Sequence, residues 1–397
     1  AAENDFALVI ALDCGIKAID KVNLASQLDV DFIICDHHTP GEELPKAIAV
    51  LDAKREDCNY PYKELSGCGV GFKLIQAIAK RGMDESNLYA YLDLLVVSIA
   101  ADIVPITGEN RILAYYGLDR INNTPRAGLK ALILRSKIEK EIGISDIVFK
   151  IGPRINASGR LEHAKASVEL LISTDLEEAI ERAKVVDEVN ATRRNFDENI
   201  TREAFEMIAE REEQAEWNST VLFKEDWHKG VIGIVASRCI EKYYRPTIIL
   251  TESNAKATGS ARSVVDFDIY EAIAECSDLL DQFGGHKYAA GLTLSVDNVP
   301  AFQAKFEQVV KSRIEEVHRK PVIEVDDELL LDQINYKFHN ILKQMAPFGP
   351  GNTEPVFRIS NVYAEDVAVL KDKHLRFKIV QDGQLTTPVC LGFGMAD

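Results

Sequence analysis

The stretch Phe6-Ala7-Leu8-Val9-Ile10-Ala11-Leu12-Asp13-Cys14-Gly15, read with Phe32-Ile33-Ile34-Cys35-Asp36-His37-His38, decides the fold. Each begins as an apolar run rich in β-formers and stops at an aspartate. Between them Ile16, Ile19, Val22, Ala25 and Leu28 recur at helical spacing, so the order is strand, turn, helix, strand. Residues 47–51 predict a third short strand after the loop around Pro40-Gly41. Strands alternating with helices predict a parallel sheet with covered faces. Such sheets gather ligand-binding groups at the carboxyl ends of their strands, where Asp13 and Asp36 stand.

Downstream, helices are expected over residues 70–81 and 88–101, the second ending near Asp102 and Pro105. A long charged helix is expected from Asp175 to Glu213, with Leu176, Ala179, Ile180, Ala183 and Val186 as its apolar stripe and Thr174 with Glu177 as a capping box. At ~1.5 Å per residue it would measure roughly 60 Å, which suits a spacer between domains. A second α/β unit follows Trp217: strands at 219–223, 247–250 and 291–295, helices at 230–242 and 270–280, and a closing helix at 299–317. Beyond Pro321, a short helix at 336–345, the punctuation Pro347-Phe348-Gly349-Pro350-Gly351 and strands at 356–359, 367–370 and 375–380 predict a small β-barrel.

Composition narrows the function classes. With 397 residues, 46% of them hydrophobic and 27% charged, the chain has the makeup of a two- or three-domain globular protein, not of a disulfide-stapled mini-protein or a fibre. A net charge of −17 excludes a surface coated with basic residues, but not a local basic groove. The seven cysteines are odd in number, scattered and without a Cys-x-x-Cys pair, which argues against a disulfide framework or thiolate zinc site and for a reducing cytoplasm. The run from Leu92 to Ile106 is broken by Asp93 and Asp102, so no membrane span is expected, nor a signal peptide. Ala1 enters a strand almost at once and Asp397 ends amid alternating apolar residues, so both ends read as cut.

Four clusters carry chemistry. Asp36-His37-His38 presents three metal or phosphate ligands on one turn, and with Asp13 and Asp102 could surround a divalent cation, with Asp13 bridging to a second. Mixed oxygen and imidazole donors favour Mn²⁺, or Mg²⁺ with more water. Gly152-Pro153-Arg154-Ile155-Asn156-Ala157-Ser158-Gly159-Arg160 is read as a cationic loop, flanked by Lys150 and Lys165 against only Glu162, whose arginine forks suit phosphate. Gly259-Ser260-Ala261-Arg262-Ser263 and Gly284-Gly285-His286-Lys287 are read as anion-binding turns. Gly67, Gly69 and Gly71 are assigned to helix-entry packing, because their spacing is not that of a dinucleotide fingerprint. Cys14 and Cys35 are assigned to packing, not nucleophilic catalysis. Trp227-His228-Lys229-Gly230 suits either base stacking or packing at a helix start.

Taken in order, the Asp13 segment, Asp36-His37-His38, Ala101-Asp102-Ile103-Val104-Pro105, the Arg154 to Arg160 segment, Trp227 to Gly233, Gly259 to Ser263 and Gly284 to Gly291 resemble the RecJ branch of the DHH phosphoesterases over nearly the whole chain. The resemblance implies an α/β DHH catalytic domain over 1–165, a long connecting helix over 166–216, a second α/β DHH-associated domain over 217–318 and an incomplete OB-like β-barrel over 319–397. It implies 5′ to 3′ exonuclease action on single-stranded DNA in repair and recombination, using Mn²⁺ or Mg²⁺, with two ions expected. A helicase and a single-strand-binding protein are the partners it brings. Carried over by position, Asp13, His37 and Asp102 match metal ligands, His38 the histidine facing the phosphate and Asp36 its support. Arg154, Asn156 and Arg160 match the substrate-gripping segment, and Ser260, Arg262 and His286 an anion-binding face. The family's opening Asp-x-Asp has no counterpart before Asp13, so one metal site is expected to be incomplete and the chain as it stands weak or inactive. Two alternatives remain at this point: a phosphodiesterase for short oligonucleotides or cyclic dinucleotides in the same superfamily, and a DNA-binding scaffold without catalysis.

Overall fold

In the computed structural model, which describes residues 1–82, 85–161, 164–210 and 216–396, the opening runs form the expected parallel strands. Leu8–Leu12 (β1) pairs with Asp31–Cys35 (β2), and β2 with Ala49–Leu51 (β3), so Leu12, Cys35 and Leu51 stand in register. The helix Ile19–Gln27 (α1) links β1 to β2. Gly67–Ala79 (α2) starts on Ser66, whose hydroxyl accepts from the Gly69 N–H at 3.1 Å and satisfies one of the free donors of the first turn. Leu92–Ala101 (α3) is buried on almost every side and packs on Gly108–Asn123 (α4), with Ala127–Arg135 (α5) beyond. The apolar content of Leu92–Ile106 thus belongs to a core helix, and among the described residues no helix is long and apolar enough to cross a membrane. Covered sheet faces were expected, yet Leu8, Ile10 and Leu12, which alternate along one face of β1, remain exposed.

The chain divides into two compact units, Ala1–Gly152 with Glu324–Asp397, and Pro153–Ile323. Short helical turns at Ile144–Asp146 (α6) and Ile147–Ile151 lead into Gly152–Leu161 (α7), followed by Lys165–Ile172 (α8). The Arg154 to Arg160 segment is therefore a helix and not the expected loop. Pro153 stands in its first turn, where the missing N–H costs nothing. Glu162, counted above against the cationic cluster, lies outside the described residues. The long helix runs over Leu176–Glu210 (α9), and the expected extension to Glu213 also lies outside them. Its first turn is capped by Asp175, whose Oδ1 accepts from the Glu178 N–H at 2.8 Å, in place of the Thr174–Glu177 box.

The second unit holds a five-stranded sheet in the order β4-β5-β6-β8-β7. Its strands are Thr220–Phe223 (β4), Thr247–Ser253 (β5), Lys256–Arg262 (β6), Gln282–His286 (β7) and Ala289–Leu294 (β8). Only β4 and β5 are parallel. Ile232–Tyr243 (α10), Ile269–Ala274 (α11) and Val299–Arg313 (α12) accompany it. Phe302 and Phe306 of α12 are fully buried against Ile248, Leu250, Leu292 and Leu294. The segments read as glycine turns at 259–263 and 284–287 belong mostly to β6 and β7. Pairing on both sides of β6 and β8 overrides the weak strand propensity of Gly, Ala and Ser.

In the first unit's C-terminal part, Asp327–Glu328 (β9) pairs with Phe357–Arg358 (β10), and Tyr336–Gln344 (α13) lies between them in sequence. Val362–Leu370 (β11), His374–Gln381 (β12) and Val389–Gly392 (β13) form an antiparallel sheet with a bulge between Glu365 and Ala368.

Candidate metal centre and anion-binding face

Three aspartates end three adjacent strands. Asp13 follows β1, Asp36 follows β2 and Asp52 follows β3, and the ladder carries on past the strands: the Asp13 N–H donates to Cys35 O at 2.9 Å and the Asp36 N–H to Leu51 O at 3.0 Å. Asp13 has φ 64°, a left-handed conformation that is rare for a residue with a Cβ and clusters at functional sites.

Asp36 is buried and saturated with hydrogen bonds. Its Oδ2 accepts from the Ile16 N–H at 2.9 Å, and its Oδ1 accepts from the His37 N–H at 2.8 Å and from His38 Nδ1 at 2.7 Å. Burial alone would raise its pKa, but these donors outweigh it and hold the carboxyl below the ordinary range. Asp36 is therefore an ionised brace for both histidines, and His38 is left with its Nε2 for other partners.

His37 is buried, and its Nε2 lies 3.1 Å from Asp13 Oδ1 and 3.3 Å from Asp102 Oδ2. It nevertheless makes no hydrogen bond of acceptable geometry to either. Ligand atoms of Asp13, His37 and His38 all lie within 4.8 Å of one another. Burial, and next the neighbouring Asp102 carboxylate, hold Asp13 above the usual carboxylate range. Asp102 caps the C-terminus of α3, where the helix dipole already disfavours an anion. Two carboxylates crowded around an unpartnered imidazole nitrogen fit a divalent cation: it would neutralise the pair and give Nε2 its missing partner.

Several residues of this centre carry no signal in the sequence. A Cβ on Gly67 would stand 2.0 Å from Asp13 Oδ1, so this first residue of α2 must be glycine for the carboxylate to fit. Gly67 thus serves the site, beyond the packing role assigned above. Asp52 has its Oδ1 on the Lys54 N–H at 2.8 Å, while Oδ2 is buried with no hydrogen-bond partner, and burial pushes its pKa up. Burial likewise raises the Cys35 thiol, as suits a core cysteine.

The substrate-binding candidates all fall in the second unit. Ser260, Arg262, Ala289, Gly291, Gly284 and His286 share one face of the sheet, because Arg262 and His286 both register with Ala289, and Ser260 and Gly284 both with Gly291. The opposite face, with Ala257, Ala261, Ala290, Leu292 and Leu294, is buried. A face of glycine and alanine lets an anion approach closely, with Ser, Arg and His as donors. Arg262 Nη1 donates to Ser260 Oγ at 3.0 Å and to Ala261 O at 2.7 Å. Burial, and then the neighbouring Arg160, lower its pKa. Room for it comes from Gly233 of α10, whose Cβ would lie 2.9 Å from both Arg262 Nη2 and Ser260 Oγ.

Arg160 is exposed on α7 and donates from Nη1 to Gly230 O at 3.1 Å. Asn156 is also exposed, whereas Arg154 Nε donates to Asp187 Oδ1 at 2.9 Å, so Arg154 is ion-paired and not simply presented to a ligand. Two arginines not anticipated join this region. Arg193 of α9 has a buried, unpartnered Nε, and Arg238 of α10 donates to Asp197 at 2.8 Å. Trp227 is buried with its Nε1 on Glu203 Oε2 at 2.9 Å and so packs the helix start, while His228 stacks on Phe196 with centroids 5.3 Å apart.

Three family models match: the DHH family N-terminal domain over residues 3–99, the DHHA1 domain over 217–312 and the RecJ OB domain over 325–397. The single-stranded-DNA-specific exonuclease RecJ of Bacillus subtilis is 37% identical over 398 residues, covering 100% of this chain and 50% of the relative. That of Haemophilus influenzae is 34% identical over 90% of this chain and 65% of the relative. Among solved structures, RecJ from Thermus thermophilus in complex with Mn²⁺ matches with a TM-score of 0.83 and 30% identity, over 98% of this chain and 58% of that one. An exonuclease RecJ bound to manganese matches with a TM-score of 0.65 and 32% identity, over 80% of this chain and 78% of that one. The chain thus spans about half the length of the Bacillus relative.

Proposed function

We propose that this chain, which belongs to the RecJ family, is the catalytic part of an exonuclease that hydrolyses phosphodiester bonds of single-stranded DNA with the help of Mn²⁺ or Mg²⁺. The observation that carries the reading is the buried, unpartnered His37 Nε2 between the Asp13 and Asp102 carboxylates. Asp13, His37 and Asp102 would hold the cation, and Asp13 would also serve a second one. When bound, such ions supply Lewis acidity, lowering the pKa of water from ~15.7 and offsetting charge on the phosphate.

The protein's own groups do the rest. Asp36 keeps His37 and His38 in place through three hydrogen bonds and is itself anchored by the Ile16 N–H. His38, held through Nδ1 by Asp36, turns Nε2 toward the phosphate as charge builds there. Asp102, at the negative end of α3, and Asp13, on strained backbone, are preorganised rather than recruited. In the second unit Ser260, Arg262 and His286, with Arg160 and Asn156, contact phosphates of single-stranded DNA without reading its sequence. In the C-terminal sheet Tyr363 is exposed and available for base stacking, whereas Phe357 is already engaged edge-on with Phe338 at 5.3 Å.

A 5′ entry end, work beside a helicase and a single-strand-binding protein, and a cytoplasmic location complete the reading. Seven free cysteines suit that compartment. With the full-length protein, the test follows Mn²⁺-dependent release of nucleotides from a 3′-labelled, 5′-phosphorylated single strand beside a blunt duplex and a dinucleotide. Stepwise shortening of the single strand alone is expected. Turnover confined to the dinucleotide, or binding without turnover, contradicts the proposal.

A further inference from the structure

Asp102 hangs on a short strap, Asp102 to Thr107, between α3 and α4. Ile103 has φ 57°, which is strained for a β-branched residue, and Ile106 is completely buried. From the side of its own domain the strap is tied at Pro105 O, which accepts from Asn110 Nδ2 at 3.0 Å and from the Tyr62 hydroxyl at 3.2 Å. The tie on the other side comes from far along the chain. The Ile106 N–H donates to Pro350 O at 2.6 Å, and a Cβ on Gly349 would lie 2.4 Å from Ile106 Cγ1. Gly351, with φ 73°, sits against Thr107 less tightly, its Cβ position 3.0 Å from Thr107 Cγ2.

This turn is itself braced. Gly349 and Asn352 exchange backbone hydrogen bonds at 2.9 and 3.0 Å, and Asn352 Nδ2 donates to Pro347 O at 2.8 Å and Met345 O at 3.0 Å. Arg111 of α4 donates to Met345 O at 2.9 Å and Ala346 O at 3.3 Å, gathering carbonyls left free where α13 ends. A strap with a strained residue, held at both faces by hydrogen bonds and close backbone contact, keeps one conformation only while both ties hold.

We propose that the turn from Pro347 to Asn352 is a positioning element for Asp102: through Gly349 and Pro350 it sets the strap, and so the cation affinity of the centre. The proposal rests on the reading of Asp102 as a metal ligand. It gives the C-terminal part of this unit a second task besides contacting DNA. It also makes cation binding and the seating of that turn reciprocal, since each favours the same strap conformation.

The experiment titrates the intact protein with Mn²⁺ and follows the signal of free Mn²⁺ by electron paramagnetic resonance, for wild type, Gly349→Val, Arg111→Ala and Asp102→Ala. Gly349→Val is expected to weaken Mn²⁺ binding about 10-fold, in the range for partners behind a ligand, and Arg111→Ala less. Saturating Mn²⁺ should restore cleavage in both, as a merely structural defect would not allow. Should Gly349→Val disturb the circular dichroism spectrum, Arg111→Ala decides. Weaker binding in Asp102→Ala with unchanged binding in the other two overturns the positioning role alone. Unchanged binding in Asp102→Ala overturns the metal reading and the inference with it.

Discussion

The two candidate sites are built on opposite principles. The Asp13–His37–Asp102 cluster sits at strand and helix ends with left-handed backbone at Asp13 and Ile103, and leaves a buried nitrogen without a partner. The face of Ser260, Arg262 and His286 lies on regular paired strands, and its arginine is already hydrogen-bonded to Ser260 and Ala261. An incomplete set of partners suits an ion of fixed charge and size. A regular face with small residues suits a ligand that slides past, such as a sugar-phosphate backbone. The metal centre should therefore tolerate almost no change and the anion face a good deal.

The largest effect tests this asymmetry directly. His37→Ala or Asp13→Ala should lower Mn²⁺-dependent cleavage of a single strand by more than ~100-fold, beyond the loss typical of partners behind a ligand. Steady-state rates at saturating DNA measure it, and a loss of only a few-fold would erase the contrast. Gly67→Ala comes next: its Cβ would collide with the Asp13 carboxylate, so Mn²⁺ affinity should fall while far-UV circular dichroism stays unchanged.

Asp36→Asn should cost ~10–100-fold in activity, through the histidines it holds. The same residue carries a pH signature. Its folded pKa lies below the unfolded value of ~3.9, so its contribution to stability is complete above that value and lost as pH falls through the folded pKa. Urea midpoints of wild type and Asp36→Asn should differ at pH 7, and the gap should narrow as pH falls below ~3.9. A constant gap would show that the pKa of Asp36 is the same in the folded and unfolded states. The smallest effect belongs to the other region: Arg262→Ala should weaken binding evenly across sequences and reduce the slope of log K against log salt by about one, with little change in the rate at saturation.

The legibility of the sequence follows the same divide. Asp13, Asp36 and Asp102 can be found because each ends an apolar element, and strand order then brings the first two side by side. The β6 and β7 segments read as turns in the sequence because Gly, Ala and Ser carry little strand propensity, and only pairing within a five-stranded sheet makes them strands. The Arg154 to Arg160 segment reads as a loop because glycine and proline punctuate it, although Pro153 occupies the one helical turn that accepts it. Gly67, Gly233 and Gly349 are invisible as functional residues, since what each makes room for lies far away in sequence. Arg193 and Arg238 look like ordinary charges on helix faces until Asp197 is seen to be shared between them.

The most direct test is anomalous diffraction from crystals of the protein grown with MnCl₂, recorded on both sides of the manganese edge. A peak bounded by Asp13, His37 and Asp102, absent in His37→Ala, is the expected result. Mn²⁺-dependent cleavage of the single strand in the same preparation with no peak among these three residues would contradict the account.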